Sequence, residues 1–110
     1  MKKVLVTGGL GFIGSNLVDR LKKTSPEIDI TVIDNLSSES SSKDYRRDDV
    51  EYIIDDIRNL DKSKYANLKF DVIFHLAALA RIQPSFKDPS TYFDIDARGT
   101  QIVCEYARQI

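Results

Sequence analysis

Four short apolar runs recur along the chain, and each is bounded by glycine or polar residues. They lie at residues 3–7, 29–33, 50–54 and 70–74 and are rich in β-branched or aromatic side chains. Such runs predict β-strands. The first, second and fourth are apolar at nearly every position, which is typical of strands covered on both faces of a parallel sheet.

Between the first two strands, the pattern changes to the period of a helix. The apolar positions recur at helical intervals: Ile13, Leu17, Val18 and Leu21. The other positions are charged: Asp19, Arg20, Lys22 and Lys23. This pattern predicts an amphipathic helix that ends near residues 24–26. A strand, a helix and a strand within roughly 30 residues form a βαβ crossover, which requires parallel strands.

The longest helical pattern runs from Pro89 to Ile110, where it is still in phase, and Asp88 can cap it. One apolar stripe comprises Phe93, Ala97, Thr100, Val103, Ala107 and Ile110. A neighbouring stripe comprises Tyr92, Ile95, Gly99, Ile102 and Tyr106. We expect one stripe to pack on the sheet and the second to form a homodimer interface through helix 89–110. A short helical turn is predicted near 60–65, and the serine-rich segment 37–43 predicts a surface loop.

A glycine-rich segment joins the first strand to the first helix. Its glycines, Gly8, Gly9, Gly11 and Gly14, match G-x-G-x-x-G and G-x-x-G-x-x-G. In this strand–helix context the motif predicts a dinucleotide-binding loop. Gly8 permits the tight turn, Gly11 lets the backbone approach a phosphate, and Gly14 lets the helix pack closely on the strand. The helix then offers free N–H groups to the pyrophosphate.

An acidic residue, Asp34, ends the second strand 20 residues after Gly14. A carboxylate there accepts hydrogen bonds from the adenosine ribose and repels a 2′-phosphate, which favours NAD over NADP. The alternative is a polar strand end with no ligand. Arg46 and Arg47, which follow, are either solvated loop charges or groups that accommodate a phosphate.

Composition narrows the function classes. The net charge of −1 gives no indication of a nucleic-acid partner. No apolar run approaches the ~18 residues of a membrane span. The single cysteine, Cys104, fits a reducing, cytoplasmic compartment. No metal site is predicted.

The sequence predicts an α/β protein with the NAD(P)-binding Rossmann fold. We expect its N-terminal half, a parallel sheet flanked by helices with strand order 3-2-1-4, and a domain over 1–110 that is incomplete at its C-terminal end.

Five ordered motifs carry a family resemblance. They are residues 6–15, residues 32–37, residues 55–58, residues 72–78 and residues 88–100. On these the chain resembles the extended short-chain dehydrogenase/reductase family, specifically its NAD-dependent nucleotide-sugar epimerases and dehydratases. The resemblance covers essentially the whole chain and represents the N-terminal part of such an enzyme.

The resemblance implies a set of cofactor contacts. Backbone contacts to the pyrophosphate come from Phe12 and Ile13. The positions that surround the adenosine ribose are Asp34, Asn35 and Ser37 or Ser38. The adenine pocket is lined by Asp56, which accepts from the exocyclic amine, and Ile57. The cofactor's ribose and phosphates are flanked by Leu76, Ala77 and Ala78.

Two positions depart from the family's pattern. Asp96, beside the nicotinamide half, replaces the usual asparagine, and an ionised carboxylate accepts but does not donate. Ala80 stands where some epimerases carry a lysine that reaches the cofactor. His75, the chain's one histidine, is interpreted as a structural strand-end residue.

The resemblance also implies a reaction: transient hydride transfer between a nucleotide-sugar carbon and NAD, with a tyrosine as base and a lysine four residues later. These groups are expected beyond residue 110, in a full-length parent that binds the nucleotide sugar. We assign no catalytic residue to this chain and expect none of its five tyrosines to be that base. The alternative function is a non-catalytic, shortened NAD-binding module.

Overall fold

A parallel four-stranded sheet forms the centre of the molecule. The computed structural model describes residues 2–37, 41–79 and 82–110. Its strands are β1 (Lys3–Thr7), β2 (Asp29–Asp34), β3 (Glu51–Ile54) and β4 (Val72–His75). They are parallel and lie in the order β3-β2-β1-β4. The predicted fold class and strand order are therefore confirmed.

The pairing register aligns the carboxyl ends of the strands. Thr7 lies opposite Ile33 on one side and His75 on the other, and Asp34 lies opposite Ile54. The loops that follow the strands consequently start from one edge of the sheet. In open α/β sheets, this edge is where ligands bind.

Helix α1 (Phe12–Thr24) covers one face of the sheet. Its buried Val18 and the loop residue Leu10 pack on the apolar side chains of β1 and β2. Two expectations for this helix are wrong. Ile13 is 71% exposed because it belongs to the first turn, next to the glycine loop. Lys22 is buried rather than solvated, and its Nζ donates to the Ile28 carbonyl at 2.6 Å, which replaces a hydrogen bond to water.

The other face is covered by two 3-10 helices, at Ile57–Asp61 and Ser63–Tyr65, and by the C-terminal helix α4 (Gly99–Gln109). The predicted turn near 60–65 is therefore found, although it begins earlier. The shared core is made of buried side chains: Leu5, Ile33, Ile57, Leu60, Tyr65, Ile102, Val103 and Tyr106.

The predicted helix from Pro89 to Ile110 is interrupted. It consists of α3 (Pro89–Phe93), a π-helical turn at Asp94–Arg98 and α4, and it follows a short helix, α2 (Ile82–Lys87), that the pattern did not predict. The cap is as predicted, because the Asp88 carboxylate accepts from the Thr91 amide at 3.3 Å. The π turn is wider than an α-helical turn, so it rotates α4 relative to α3. Residues of α3 and α4 that are spaced at one helical period therefore do not lie on the same face.

The buried face of α4 runs along the boundary between the two predicted stripes. It combines Ile102 and Tyr106 of the second stripe with Val103 of the first. Ile102 and Tyr106 are 7% and 4% exposed, so the predicted dimer stripe is wrong: these side chains fill the chain's own core. Gly99 permits this packing, since a Cβ there would lie 2.8 Å from Ile57.

Strand β4 is only half-buried along its length, contrary to the expectation that the fourth strand is covered on both faces. It is the outermost strand of the described sheet, so one of its edges lacks a described neighbour. In the described part of the chain, no helix has the length and apolar character needed to cross a membrane.

Candidate dinucleotide-binding site

A cavity of about 320 Å³ opens at the carboxyl edge of the sheet. It lies among the loops that follow β1, β2, β3 and β4, and one residue of the π turn also reaches it. Its walls are formed by Gly8, Gly11, Phe12, Ile13, Gly14, Ile33, Asp34, Asn35, Ser37, Ser41, Asp55, Asp56, Ile57, Leu76, Ala77, Ala78 and Ile95.

The glycine loop forms one wall, and the protein's own packing requires glycine at three of its positions, among them Gly9, where a Cβ would lie 2.7 Å from the buried Val32 side chain. Gly8 has φ +73°, and a Cβ there would lie 2.9 Å from the Ala77 nitrogen. A Cβ on Gly14 would lie 2.1 Å from the Gly8 carbonyl oxygen. Gly8 and Gly14 therefore have the roles that the motif predicts, a tight turn and a close helix approach.

Gly11 is different, because the protein leaves space beside it. A Cβ there would meet only the Gly8 carbonyl oxygen, at 3.4 Å, and its φ of −78° suits any residue. Packing within the chain therefore does not explain a glycine at this position. A ligand that approaches the backbone from the cavity does, and this fits a dinucleotide phosphate.

The amino end of α1 supplies hydrogen-bond donors to the same space. The first helical hydrogen bond runs from the Ser15 amide to the Gly11 carbonyl, at 2.9 Å. The amides of Phe12, Ile13 and Gly14 precede it and therefore have no acceptor within the helix. All three residues line the cavity. They place donors and the positive end of the helix dipole where an anion would bind.

Asp34 lies at the other end of the cavity and also supports the loops. One carboxylate oxygen accepts from the Leu10 amide at 2.9 Å, and the other accepts from the Leu36 amide at 2.7 Å. Leu36 has φ +60°, a left-handed conformation that this bond helps to hold. Each oxygen retains a lone pair, so Asp34 can still accept from ribose hydroxyls.

Asp56 and Asn35 meet on the side of the cavity where the resemblance places the adenosine. The Asp56 carboxylate accepts from the Arg58 side chain at 2.7 and 3.0 Å, from the Arg58 amide at 2.9 Å and from Asn35. Arg58 chiefly holds the pKa of Asp56 below its usual range. Because a carboxylate has about four acceptor sites, an adenine amine would compete with these donors.

The same guanidinium reaches the π turn. Arg58 donates to Asp94 at 2.6 Å, so it joins the loop after β3 to the segment that carries Ile95 into the cavity. This contact helps to place Ile95 at the cavity; Ser41, Ile33 and Asp55, which the sequence did not indicate as cofactor contacts either, reach the cavity from β2 and from the loops after β2 and β3. Ile95 was assigned only to a helix stripe, and periodicity does not indicate a π turn.

One tyrosine–lysine pair in the chain does have the spacing of the family's catalytic pair, namely Tyr65 and Lys69. Spacing alone therefore does not exclude Tyr65, but its environment argues against a catalytic role. Tyr65 is 3% exposed and is not among the cavity residues. Its hydroxyl donates to Asp55, and burial together with this bond raises its pKa. We interpret Tyr65 as part of the core.

Asp55 is an anchor for the loop after β3. Burial alone would raise the pKa of its carboxyl, but donors from Tyr65 and Asn59 outweigh burial and lower it. Asn59 Nδ2 donates at 2.7 Å, and the Asp56 amide donates at 2.8 Å. Asp55 and Asp56 thus have different partners and are both held as carboxylates.

The segment after β4 forms the remaining wall. The Thr7 hydroxyl oxygen accepts from the amides of Leu76 and Ala77 at 3.0 and 3.1 Å. The Asp96 carboxylate accepts from the Leu79 amide at 2.8 Å. Asp96 is not among the described cavity residues, so its observed contact is with the loop.

The structure brings together nearly all the predicted cofactor contacts. Thirteen predicted positions line the cavity: Gly8, Gly11, Phe12, Ile13, Gly14, Asp34, Asn35, Ser37, Asp56, Ile57, Leu76, Ala77 and Ala78. Ser38 and Ala80 lie outside the described residues. The free amides at the start of α1 lie beside the glycine loop, and the carboxylates of Asp34 and Asp56 lie on the loops after β2 and β3.

The model of one protein family, the NAD dependent epimerase/dehydratase family, matches residues 4–110. The chain belongs to this family. A UDP-glucose 4-epimerase of Mycoplasma pneumoniae is 38% identical over 103 residues, which cover 89% of this chain and 29% of that protein. The family assignment agrees with the resemblance, and the predicted cofactor, NAD, is confirmed at the level of the family.

Solved epimerase structures share the fold. The UDP-glucose 4-epimerase of Thermus thermophilus, in complex with NAD, has a TM-score of 0.82 and 31% identity over 97% of this chain and 34% of its own. The UDP-glucose 4-epimerase of Thermotoga maritima, with UDP-glucose, has a TM-score of 0.85 and 28% identity over 96% of this chain and 33% of its own. The chain thus spans about a third of the length of these epimerases.

Proposed function

We propose that this chain is the NAD-binding part of a nucleotide-sugar epimerase or dehydratase. Gly11 carries the proposal: it lacks a side chain where the protein leaves room for one, and it faces the amides at the start of α1. When bound, NAD would supply the hydride acceptor for a sugar carbon. The chain's own residues would bind the pyrophosphate at the glycine loop and the adenosine near Asp34.

In this proposal, residues 1–110 belong to the dinucleotide-binding domain, and the tyrosine and lysine that act on the sugar come from a further part of the full-length protein. The proposal is supported by the epimerase relatives, of which this chain spans about a third. That these relatives are UDP-glucose 4-epimerases also supports a UDP-sugar as the substrate class. The exposed thiol of Cys104 is compatible with a cytoplasmic location.

Isothermal titration calorimetry with NAD and NADP tests the proposal. We expect NAD to bind and NADP to bind more weakly, because the Asp34 carboxylate at the ribose end repels a 2′-phosphate. Asp34→Asn provides the matched variant, which removes the charge with little change in size. Equal or tighter NADP binding to the unaltered chain would contradict the proposed role of Asp34.

The alternative is a non-catalytic NAD-binding module, which would use the same cavity to hold the cofactor. NAD binding combined with no turnover of UDP-glucose or UDP-galactose by the full-length gene product would favour the module. A homodimer through helix 89–110 stays a prediction and would have to use exposed residues such as Ala97 and Cys104. Sedimentation velocity measures the oligomeric state.

A further inference from the structure

Three side chains, Thr7, His75 and Thr100, connect the end of β1 to the start of α4. His75 Nδ1 lies 2.7 Å from the Thr7 hydroxyl oxygen, and His75 Nε2 lies 3.0 Å from the Thr100 hydroxyl oxygen. Thr100 in turn lies 2.6 Å from the Asp96 backbone carbonyl oxygen. Both ring nitrogens therefore have a polar partner within the chain.

Counting donors and acceptors gives an arrangement in which every one of these groups is satisfied. A hydroxyl donates one hydrogen bond and accepts up to two. The Thr7 hydroxyl oxygen accepts from the Ala77 amide and shares the Leu76 amide with the Thr7 backbone carbonyl, which accepts at 3.1 Å, so the hydroxyl hydrogen is available for His75 Nδ1. At the other end, the Asp96 carbonyl only accepts, so Thr100 donates to it and accepts from His75 Nε2–H. This arrangement requires a neutral imidazole with its proton on Nε2.

We propose that neutral His75, as the Nε2–H tautomer, is a positioning residue that holds the segment after β4 in the shape that binds the cofactor. The segment is a cavity wall, since Leu76 and Ala77 line the site. It also packs directly on the glycine loop, because a Cβ on Gly8 would lie 2.9 Å from the Ala77 nitrogen. This inference rests on the proposed function.

Protonation of His75 breaks the pattern. With a proton on both ring nitrogens, Nδ1 becomes a donor, and the Thr7 hydrogen then faces another hydrogen. The Thr7 hydroxyl must then release an amide, which leaves Leu76 with only the Thr7 backbone carbonyl, or rotate away from the ring, so the wall loses one of its contacts to this hydroxyl. Burial lowers the pKa of His75 from its ordinary value, and the Asp96 carboxylate opposes this in part. Among the described residues, Asp96 is the charged group that acts on the His75 ring. The direct partners of the ring, Thr7 and Thr100, contribute uncharged hydroxyls.

The tautomer is directly measurable, because the chain has one histidine. In ¹⁵N-labelled protein at pH 8, a long-range ¹H–¹⁵N spectrum of the imidazole is expected to show Nε2 protonated and Nδ1 unprotonated. The same spectra followed from pH 8 to pH 5 give the pKa of His75. A Nδ1–H tautomer would overturn the proposal without any variant.

NAD affinity is measured by calorimetry in the same samples. We expect the dissociation constant to rise roughly fivefold as the imidazole protonates, the effect of losing one net hydrogen bond. His75→Asn keeps an acceptor for Thr7 and does not titrate, so its affinity is expected to change little with pH. His75→Leu removes the acceptor and is expected to bind NAD more weakly than His75→Asn at pH 8. Circular dichroism shows that each variant is folded.

The outcomes separate the two proposals. Binding at pH 8 that stays constant through the titration of His75 would overturn the positioning role and leave the proposed function intact. The same holds if His75→Leu and His75→Asn bind equally well. No NAD binding at pH 8 by folded, unaltered protein would refute the proposed function and the positioning role with it.

Discussion

Gly11→Ala and Gly14→Ala are expected to separate folding from cofactor binding. At Gly14, the new Cβ would lie 2.1 Å from the Gly8 oxygen, about 1 Å closer than real contacts allow, so helix and loop must move apart. Overpacking of this kind costs about 1–3 kcal/mol. At Gly11, the nearest atom is 3.4 Å away and φ is −78°, so alanine fits.

The net effect of Gly11→Ala on stability is worked from two opposing terms. Gly11 is the N-cap of α1, where alanine is less favourable than glycine by roughly 0.5–1 kcal/mol. Replacing glycine by alanine at a compatible φ gains about 0.4–1 kcal/mol through the unfolded state. The two terms nearly cancel. For NAD, the methyl group occupies the phosphate's approach, and losing one charge-assisted hydrogen bond, about 1.5–3 kcal/mol, weakens binding at least about tenfold.

Urea unfolding followed by circular dichroism measures the first quantity, and calorimetry with NAD measures the second. Gly11→Ala should match the unaltered chain in urea midpoint but lose affinity, whereas Gly14→Ala should lose stability. Gly11→Ala that binds NAD within about threefold of the unaltered chain, less than ~1 kcal/mol, would refute the phosphate assignment. Loss of stability in Gly11→Ala equal to that of Gly14→Ala would refute the packing argument.

Three further predictions concern other parts of the molecule. Asp34→Asn should narrow the preference for NAD over NADP in calorimetry and also lower the urea midpoint, because an amide cannot accept from two backbone amides through two oxygens. Tyr106→Phe removes the buried bond to the Tyr65 carbonyl and should cost about 1 kcal/mol in urea unfolding; an unchanged midpoint would contradict this. The pKa of Asp55 is lower in the folded protein than in the unfolded chain. Its contribution to the free energy of unfolding is therefore fully present above the pKa of the unfolded chain, about 4, and is lost as the pH falls from there towards the lower pKa of the folded protein. Asp55→Asn should therefore flatten the acid limb of the stability–pH curve, and an unchanged limb would refute the assignment.

The sheet and the glycine loop were predictable because their signals are local. Each strand is one apolar run, and Gly8, Gly14 and Asp34 follow from a motif whose spacing is set by one βαβ unit. The order of strands then follows from that unit and the family resemblance. The predicted site residues line one cavity for the same reason, since parallel strands end at one edge.

What was not predictable depends on contacts between distant segments. Lys22 was assigned to the polar side of α1, but it lies near the Ile28 carbonyl once the turn closes. Ile102 and Tyr106 were assigned to a dimer interface because one period was assumed across the π turn. The bond between Arg58 and Asp94, 36 residues apart, is likewise invisible in either local pattern.

The two amides held by Asp34 have a consequence for how this chain could change its cofactor. A protein that switches from NAD to NADP must remove the carboxylate that repels the extra phosphate. Here the same carboxylate holds Leu10 at the end of the glycine loop and Leu36 in its left-handed conformation. One substitution would thus alter selectivity and weaken two loops together. An evolutionary path to NADP would need a stabilising change first, for example a glycine at position 36, before position 34 was free to vary.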